Sequence, residues 1–596
     1  MLGALTAAGV DRGDLVALAI APVTGLAVAW GAHPTAPGSA AHAGGEAGFA
    51  VTAASPAAAE RSRALAAIVR EIEDELQPRW VWWSRSTADV LVAAGLRVAR
   101  CWDVAAVHRL LFGGWKTDPA RAWAAVHGLP LDARPTERAP DLFSHLDHDL
   151  GDPDDPVRPD GYLRPDWVGG EWARDPARLV RWATRALDVA TRQRLLLDEI
   201  PDRPHAPATA RSESAAELLC AEMSVDGLPM DRAVAERTIA ALVGPRPRDE
   251  AEAAAARDRR DAEVLRHAPA DARFDLRSPG QVRSLLRRVG IEVPDTRAGR
   301  LRELRDVHPI VEALLTWRKA ERVATTYGYA WLDEHLGTDG RLRGAWSASD
   351  GAAGRMTASA GLHNLPADMR VAVLAEPGHV FVRADLGQIE PRVLAAVAGD
   401  AALARATLEP DLYAPVAAAL GVDRATAKVA VLGAMYGQTT GHGATARRGL
   451  RAAYPVAMGY LEEADRRAQV GQDLRTDGGR LVAMGSTNTS GMTERDARSR
   501  AAARGRYGRN AMVQGAAAEL FKVWAVTVRA RAAALDARIV LCLHDELLVH
   551  APVEHGEATA ALVDACLQEA AARWAPATPV RFVADTSIIT SWADAY

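Results

Sequence analysis

Two acids in this chain each close an apolar run. Asp385 follows the alternating VFVRA in VFVRADLGQIEPRVLAAVAG, residues 380–399, and Asp545 lies within His544-Asp545-Glu546 of RIVLCLHDELLVHAP, residues 538–552. The alternation of VFVRA predicts a short strand, and EPRVLAAVAG predicts a helix that tolerates Pro391 in its first turn. Asp385 is therefore expected at a strand end, a rigid place from which to present a carboxylate. The runs flanking His544-Asp545-Glu546 predict a hairpin with acids at its turn. Taken alone, either acid is equally well explained as a solvated turn residue. A third segment changes the balance. In VDRATAKVAVLGAMYGQ, residues 422–438, Arg424, Lys428, Leu432 and Tyr436 recur every four residues, so on a helix they drift slowly around one face. Two cations, an apolar residue and an aromatic ring on one face could bind a triphosphate at one end and meet a base at the other. Gly433 and Gly437 interrupt such a helix at roughly 0.5–1 kcal/mol each relative to alanine. They make sense where another backbone or a base pair must come close; a solvated amphipathic helix explains neither.

The elements that must hold these residues read in four zones. DLVALAIAPVTGLAVAWG, residues 14–31, predicts two strands joined by a Pro-Val-Thr-Gly turn. Residues 32–60 are small and Gly/Ala/Pro-rich, and predict a loop. Strand and helix signals alternate to about residue 130, as in RWVWWS and then TADVLVAAGL, which predicts an α/β layer. The Pro/Asp/Arg-rich stretch from about 132 to 168 reads as a loop or linker, and a helical span follows from about 170. At 596 residues the chain is too long for one core, and three or four domains are expected. Its 49% hydrophobic and 25% charged residues are ordinary for a globular protein, and the abundant alanine favours helix. A net charge of -5 gives no global sign of a polyanionic partner, so positive charge must be sought locally. Cys101, Cys220, Cys542 and Cys566 form no CxxC pair, which argues against a disulfide framework or zinc site and for a reducing cytoplasm. MLGALTAAGVDRGD lacks the basic start and apolar run of a signal peptide, and no apolar stretch of about 18 residues is present to span a membrane.

Together the three chemistry-bearing segments resemble the polymerase motifs of the bacterial DNA polymerase I family, family A. Its motif A, DYSQIELR, is similar to Asp385-Leu386-Gly387-Gln388-Ile389-Glu390-Pro391-Arg392. Motif B is matched by Arg424, Lys428, Gly433, Tyr436 and Gly437, and motif C by His544-Asp545-Glu546. AGRMTASAGLHNLP, residues 353–366, resembles the family's TGRLSSxxPNLQNIP segment, one residue shorter. RYGRNAMVQGAAAE, residues 506–519, is similar to its template- and minor-groove segment, and FDLRSPGQVRSLLRRVGI, residues 274–291, to its thumb. The resemblance runs from about residue 210 to the carboxyl terminus.

The resemblance implies a multi-domain α/β protein, a right-hand polymerase of palm, fingers and thumb preceded by a ribonuclease H-like exonuclease-type domain. The expected divisions are 1–205 exonuclease-like, 206–340 thumb and start of palm, 341–400 palm with motif A, 401–509 fingers with motif B, and 510–596 palm with motif C. It implies template-directed addition of deoxynucleotides to a primer 3′ end, with two magnesium ions (manganese as a substitute) held by Asp385, Asp545 and the Leu386 carbonyl, and Glu546 in the same catalytic group. Arg424 and Lys428 would neutralise the triphosphate, with Lys428 protonating the leaving group. Gln388, Glu390, Tyr413, Leu432 and Tyr436 would complete the nucleotide site, Glu390 excluding a ribose 2′-hydroxyl. Arg355, Asn364, Arg506, Asn510, Gln514 and His544 would meet primer-template DNA. The arginines at 495–509 and 273–288 would add sequence-independent phosphate contacts. A cytoplasmic monomer without a membrane partner is expected.

Departures from the family pattern bear on two functions. Leu432 stands where an aromatic is usual, Tyr413 where histidine is common and Gly387 where serine is common, which predicts weaker nucleotide binding with the metal ligands untouched. Residues 14–111 and 170–198 resemble the 3′–5′ exonuclease domain, whose four acids hold two metals. Here the strand bearing its Asp-x-Glu is expected to be missing, Thr87 replaces the second-motif Asp, and Trp182 and Ala186 replace the third-motif Tyr and Asp. Asp89, Asp103 and Asp188 are only nearby. A domain without proofreading is expected, and nothing resembles a 5′-nuclease. The alternatives are a polymerase-like DNA-binding scaffold that has lost catalysis, a single-subunit RNA polymerase relative, disfavoured by Glu390 and motif C, and a nuclease, disfavoured by the absent acids.

Overall fold

The computed structural model describes residues 1–31, 48–52, 57–115, 117–136, 151–269, 273–437, 443–485, 487–488, 490–576 and 578–595, with side chains of the segment after 442 described from 448. It forms two compact units. The first joins Met1–Val225, Trp346–Thr357 and Val382–Ile588; the second joins Asp226–Ala345, Ala358–Phe381 and Ile589–Tyr596.

The first unit begins with a five-stranded sheet: β1 Leu15–Ala21, β2 Gly25–Trp30, β3 Gly48–Val51, β4 Arg79–Trp82 and β5 Cys101–Asp103, in the order β3-β2-β1-β4-β5. β1 pairs antiparallel with β2 and parallel with β4, as the predicted turn and the α/β alternation require. Gly25 is obligatory at that turn: its φ is +145°, and a Cβ would fall 2.2 Å from the Val51 carbonyl oxygen. The helix Pro176–Asp198, capped by Asp175, lays Trp182, Ala183, Ala186, Val189 and Ala190 on one face of the sheet. The expected loops are shorter than their composition suggests. Residues 48–51 are β3, the helix Ala58–Leu76 starts inside the 32–60 stretch, and residues 32–47 and 53–56 lie outside the described residues. In the 132–168 stretch, 137–150 lie outside the described residues, while Leu163 and Trp167 are core residues because apolar side chains among the prolines still find the sheet.

A four-stranded sheet is ordered Arg538–Leu543, Glu546–Pro552, His379–Leu386, Ala584–Ile589 and is backed by the helices Glu494–Ala532 and Gly556–Trp574. The second unit contains the helices Glu250–Leu265, Pro279–Arg288 and Pro309–Thr326, packed through Val264, Val282, Leu286, Leu314 and Trp317. All four cysteines are buried and free, as the sequence predicts. No helix among the described residues is long and apolar enough to cross a membrane.

Candidate active site

Motif A and motif C meet in the four-stranded sheet. The strand His379–Leu386 carries Asp385 one residue from its end, and the hairpin between Arg538–Leu543 and Glu546–Pro552 turns at His544-Asp545. Leu386 N–H donates to the Asp545 carbonyl (2.9 Å), which ties the two acidic segments through backbone. The turn is tight enough to put His544 at φ +56°, and the exit from the motif A strand puts Gln388 at φ +55°. Left-handed backbone at non-glycine residues is uncommon and persists where the surroundings enforce it.

The carboxylates are poorly solvated. Burial, then the Asp545 carboxylate, pushes Asp385 up to about 6 despite Arg383. Burial also raises Asp545, with Glu546 and Glu390 adding repulsion. Acids forced together out of water are a donor set for a hard dication, which would remove both penalties. Glu546 differs from its neighbour: it is 2% exposed and accepts from Arg383 Nε and Nη2 (3.3 Å each). Arg383 Nη2 also donates to Asp385 Oδ2 (2.9 Å) and Nη1 to Asp585 Oδ2 (3.0 Å).

Around these acids lies a network of side chains. Glu390, in the first turn of the helix Ile389–Ala398, accepts from Arg355 Nη2 (2.8 Å) and from the Tyr436 hydroxyl (2.7 Å). Burial and Glu390 together raise the Tyr436 phenol, which stays a donor. Gln388 Nε2 donates to Asp411 Oδ1 and its Oε1 accepts from Leu412 N–H (2.8 Å each). Arg424 Nε donates to the other Asp411 oxygen (2.5 Å), its guanidinium 5.8 Å from the Tyr413 ring centre. The helix Arg424–Tyr436, capped by Asp423, therefore holds Arg424 against Asp411 at its start and Tyr436 against Glu390 at its end, with Lys428 exposed between them. Leu432 is half-buried against the apolar cluster of Val416, Val431 and Met435.

Gly437 does not interrupt this helix but ends it. Its φ is +70°, its N–H bonds to the Gly433 carbonyl, and a Cβ would lie 2.8 Å from Arg506 Cγ. The close approach expected at this glycine is the aliphatic stem of an arginine. Arg506 itself is exposed on the helix Glu494–Ala532; Gln514 is half-buried there, and Asn510 has a buried Oδ1 that no described group satisfies. Arg509 is not a free phosphate contact: it is buried and donates to the Ala434 carbonyl (3.1 Å). In the second unit, Arg277 is likewise held by Asp261 and Glu321 (2.8 Å each). Asn364 also lies in the second unit, where its carbonyl accepts from Arg322.

Two residues near the site, Asp411 and Arg383, escaped sequence reasoning, and Arg392 was placed in motif A without a role. Arg392 is fully buried and donates to the carbonyls of Gly387, Thr407, Glu409, Pro410 and Arg581, so it staples the motif A exit to its surroundings. Asp411 joins Gln388 to Arg424, and Arg383 bridges the acids. A charged residue inside an otherwise apolar run, as at Arg383, is the signal that could have found it.

In the amino-terminal sheet the expectation of a missing acid-bearing strand needs correcting. β1 is already the central strand, bracketed by β2 and β4, and its seven residues LVALAIA include no acid. Trp182 is buried with ring centroids of Trp83, Trp172 and Trp167 at 4.7, 6.0 and 6.3 Å, and Ala186 is buried beside it. The nearby acids serve structure. Asp103 caps the helix Val104–Phe112 and accepts from Trp82 Nε1, Asp188 pairs with His127 and Arg192, and Asp89 with Arg85.

Residues 248–594 match the model for DNA polymerase family A. DNA polymerase I of Chloroflexus aurantiacus is 32% identical over 294 residues, 44% of this chain and 30% of that protein. The thermostable DNA polymerase I of Thermus aquaticus is 32% identical over 292 residues, 45% of this chain and 35% of that protein. These matches thus span about a third of the relatives' length. The POL domain of Pol1 from M. smegmatis, solved in complex with DNA primer-template and dNTP, superposes with a TM-score of 0.67 at 20% identity, covering 99% of this chain and 98% of that one.

Proposed function

The chain belongs to DNA polymerase family A, and from that premise we propose that it extends a DNA primer on a template with deoxynucleoside triphosphates and does not proofread. The observation that carries this reading is that backbone bonding ties the Asp385 and Asp545 segments together, both acids half-buried and raised, beside a helix whose Arg424 bonds Asp411 and whose Tyr436 bonds Glu390. Asp385, Asp545 and the Leu386 carbonyl would hold two magnesium ions, with manganese as a substitute. Such ions, when bound, lower the pKa of the primer 3′-hydroxyl and stabilise charge on the departing pyrophosphate.

The remaining work falls to the chain's own groups. Arg424 exchanges Asp411 for the triphosphate, and Lys428, exposed one turn on, neutralises the same oxygens and gives a proton to the leaving group. Glu390, fixed by Arg355 and Tyr436, occupies the space a ribose 2′-hydroxyl would need. Tyr436 packs beside the nascent base pair and Gln388 and Tyr413 line the nucleotide. Arg355, Arg506, Asn510, Gln514, His544 and Asn364 face primer and template. By this reading residues 1–205 keep an exonuclease-type fold without its chemistry, 206–340 form thumb and early palm, 341–400 and 510–596 the palm, and 401–509 the fingers. The acid-free β1 and the tryptophans around Trp182 support a domain that cuts nothing.

One observation favours a second reading. Arg383 neutralises the acids in the way expected of a DNA-binding scaffold that has given up catalysis. Primer extension with magnesium separates the two. Extension that vanishes in Asp385→Ala or Asp545→Ala supports the enzyme, and extension that survives either substitution overturns it. A 3′-labelled duplex without nucleotides should keep its length; steady shortening would contradict the non-proofreading reading.

A further inference from the structure

Arg383 precedes Asp385 by two residues on one strand, so strand alternation puts both side chains on the same face. The Arg383 side chain is 6% exposed, and its fork is divided among three carboxylates. Nη2 donates to Asp385 (2.9 Å), Nε and Nη2 to Glu546 (3.3 Å each), and Nη1 to Asp585 (3.0 Å). Asp585 is largely exposed, whereas Glu546 is almost wholly buried, so the guanidinium is anchored from the protein interior outward. A guanidinium remains charged at any working pH and its planar fork is pre-organised for carboxylates. The positive charge is therefore a permanent part of the acidic group, within hydrogen-bond distance of one oxygen of Asp385.

We propose that Arg383 is a positioning residue that acts as a built-in counter-cation. It holds Asp385 and Glu546 in place before a metal arrives, and it weakens the affinity of the acids for a divalent ion entering alone. A bare dication meets the repulsion of Arg383, which already occupies one of the two Asp385 oxygens. An ion arriving with a triphosphate brings negative charge that offsets Arg383. Loading of the ion is thereby coupled to loading of the nucleotide. The inference rests on the two-ion reading of Asp385 and Asp545.

The test is direct binding of Mn2+ to the full chain by electron paramagnetic resonance, without nucleotide and then with primer-template and a non-hydrolysable deoxynucleoside triphosphate. Arg383→Met, which keeps length and removes charge, should bind Mn2+ alone at least about tenfold tighter than the parent, the scale expected for deleting one close like charge. Arg383→Lys, which keeps the charge, should stay near the parent. With nucleotide and primer-template the gap between Arg383→Met and parent should narrow to about threefold or less. A merely structural role would shift the Met and Lys variants in the same direction. Should Arg383→Met fail to fold, Arg383→Gln removes the charge while keeping a donor for Asp385 and carries the same comparison. Mn2+ affinity in the neutral variant equal to or weaker than the parent's overturns the proposal alone. Absence of Mn2+ binding in every protein even with nucleotide and primer-template overturns the two-ion reading on which it stands.

Discussion

At Glu390 two neighbours converge on one carboxylate: Arg355 on one oxygen, the Tyr436 hydroxyl on the other. A side chain held from both sides cannot swing away, which is what a steric test of the sugar requires. Glu390→Ala is expected to raise the ratio of ribonucleotide to deoxynucleotide kcat/KM by roughly 10–100-fold, the scale of discrimination by shape in a small pocket. Single-nucleotide incorporation assays with the matched pair of substrates check it, and an unchanged ratio counts against the steric role. The residues of this site were unevenly legible in the sequence. Arg424, Lys428 and Tyr436 stand out because their spacing is short and their types are chemically loaded, and Asp385 and Asp545 gain meaning only beside them. Arg383 and Arg392 do not, because their partners are supplied by chain far away: Glu546 lies 163 positions from Arg383, and the Arg581 carbonyl 189 from Arg392. Burial of a charge is a tertiary fact; a charge within an apolar run, as at Arg383, hints at it but does not name its partners.

The helix Arg424–Tyr436 shows what an element adds. Its Asp423 cap fixes where it starts and the left-handed Gly437 where it stops, so the spacing of four becomes a line of groups from Arg424 to Tyr436. Leu432 sits on that line with no aromatic face to offer. Leu432→Phe should lower KM for deoxynucleotides by about 2–10-fold with little change in kcat, from a stacking contribution of about 0.5–1.5 kcal/mol; steady-state kinetics decide it, and a raised KM refutes the assigned contact. Strands and helices with strong periodicity were legible throughout, including the β1–β2 hairpin and the motif C hairpin. The segments misjudged were those whose composition is small or proline-rich, β3 and the 157–169 region. There, packing against the sheet outweighs weak intrinsic preference. The helix α-cap at Asp103 gives a second element-level prediction. Burial, reinforced by Glu217, pushes its carboxyl up to about 7. A raised folded value means the native state favours the neutral acid, so this contribution to stability is complete below about 4 and is lost as pH rises through about 7. Thermal unfolding of Asp103→Asn should therefore depend less steeply on pH between 4 and 7 than that of the parent. An identical slope would show that Asp103 does not titrate in that window.

At the scale of the molecule, the first unit holds both the amino-terminal sheet, whose β1 includes no acid, and the segments that carry Asp385 and Asp545. The helix Ala206–Asp226 binds them through buried charges: Glu213 pairs with Lys522 and Arg480, Glu217 with Arg109, and Glu222 with Arg529. Buried pairs of this kind are costly to break, since the partner left behind is an uncompensated charge in a low dielectric. The amino-terminal layer is thus tied to the rest of the first unit by buried charge pairs, and tryptophans fill one side of its sheet. The proposed chemistry rests on Asp385 and Asp545. The most direct measurement is single-turnover incorporation of one deoxynucleotide opposite each of the four template bases, with magnesium, for the parent and for Asp545→Asn. The parent is expected to incorporate the complementary nucleotide and the variant to fall roughly 10³-fold or more, the several kcal/mol that a metal site supplies to the transition state. Template-independent addition by the parent, or an Asp545→Asn rate within tenfold of it, would contradict the claim.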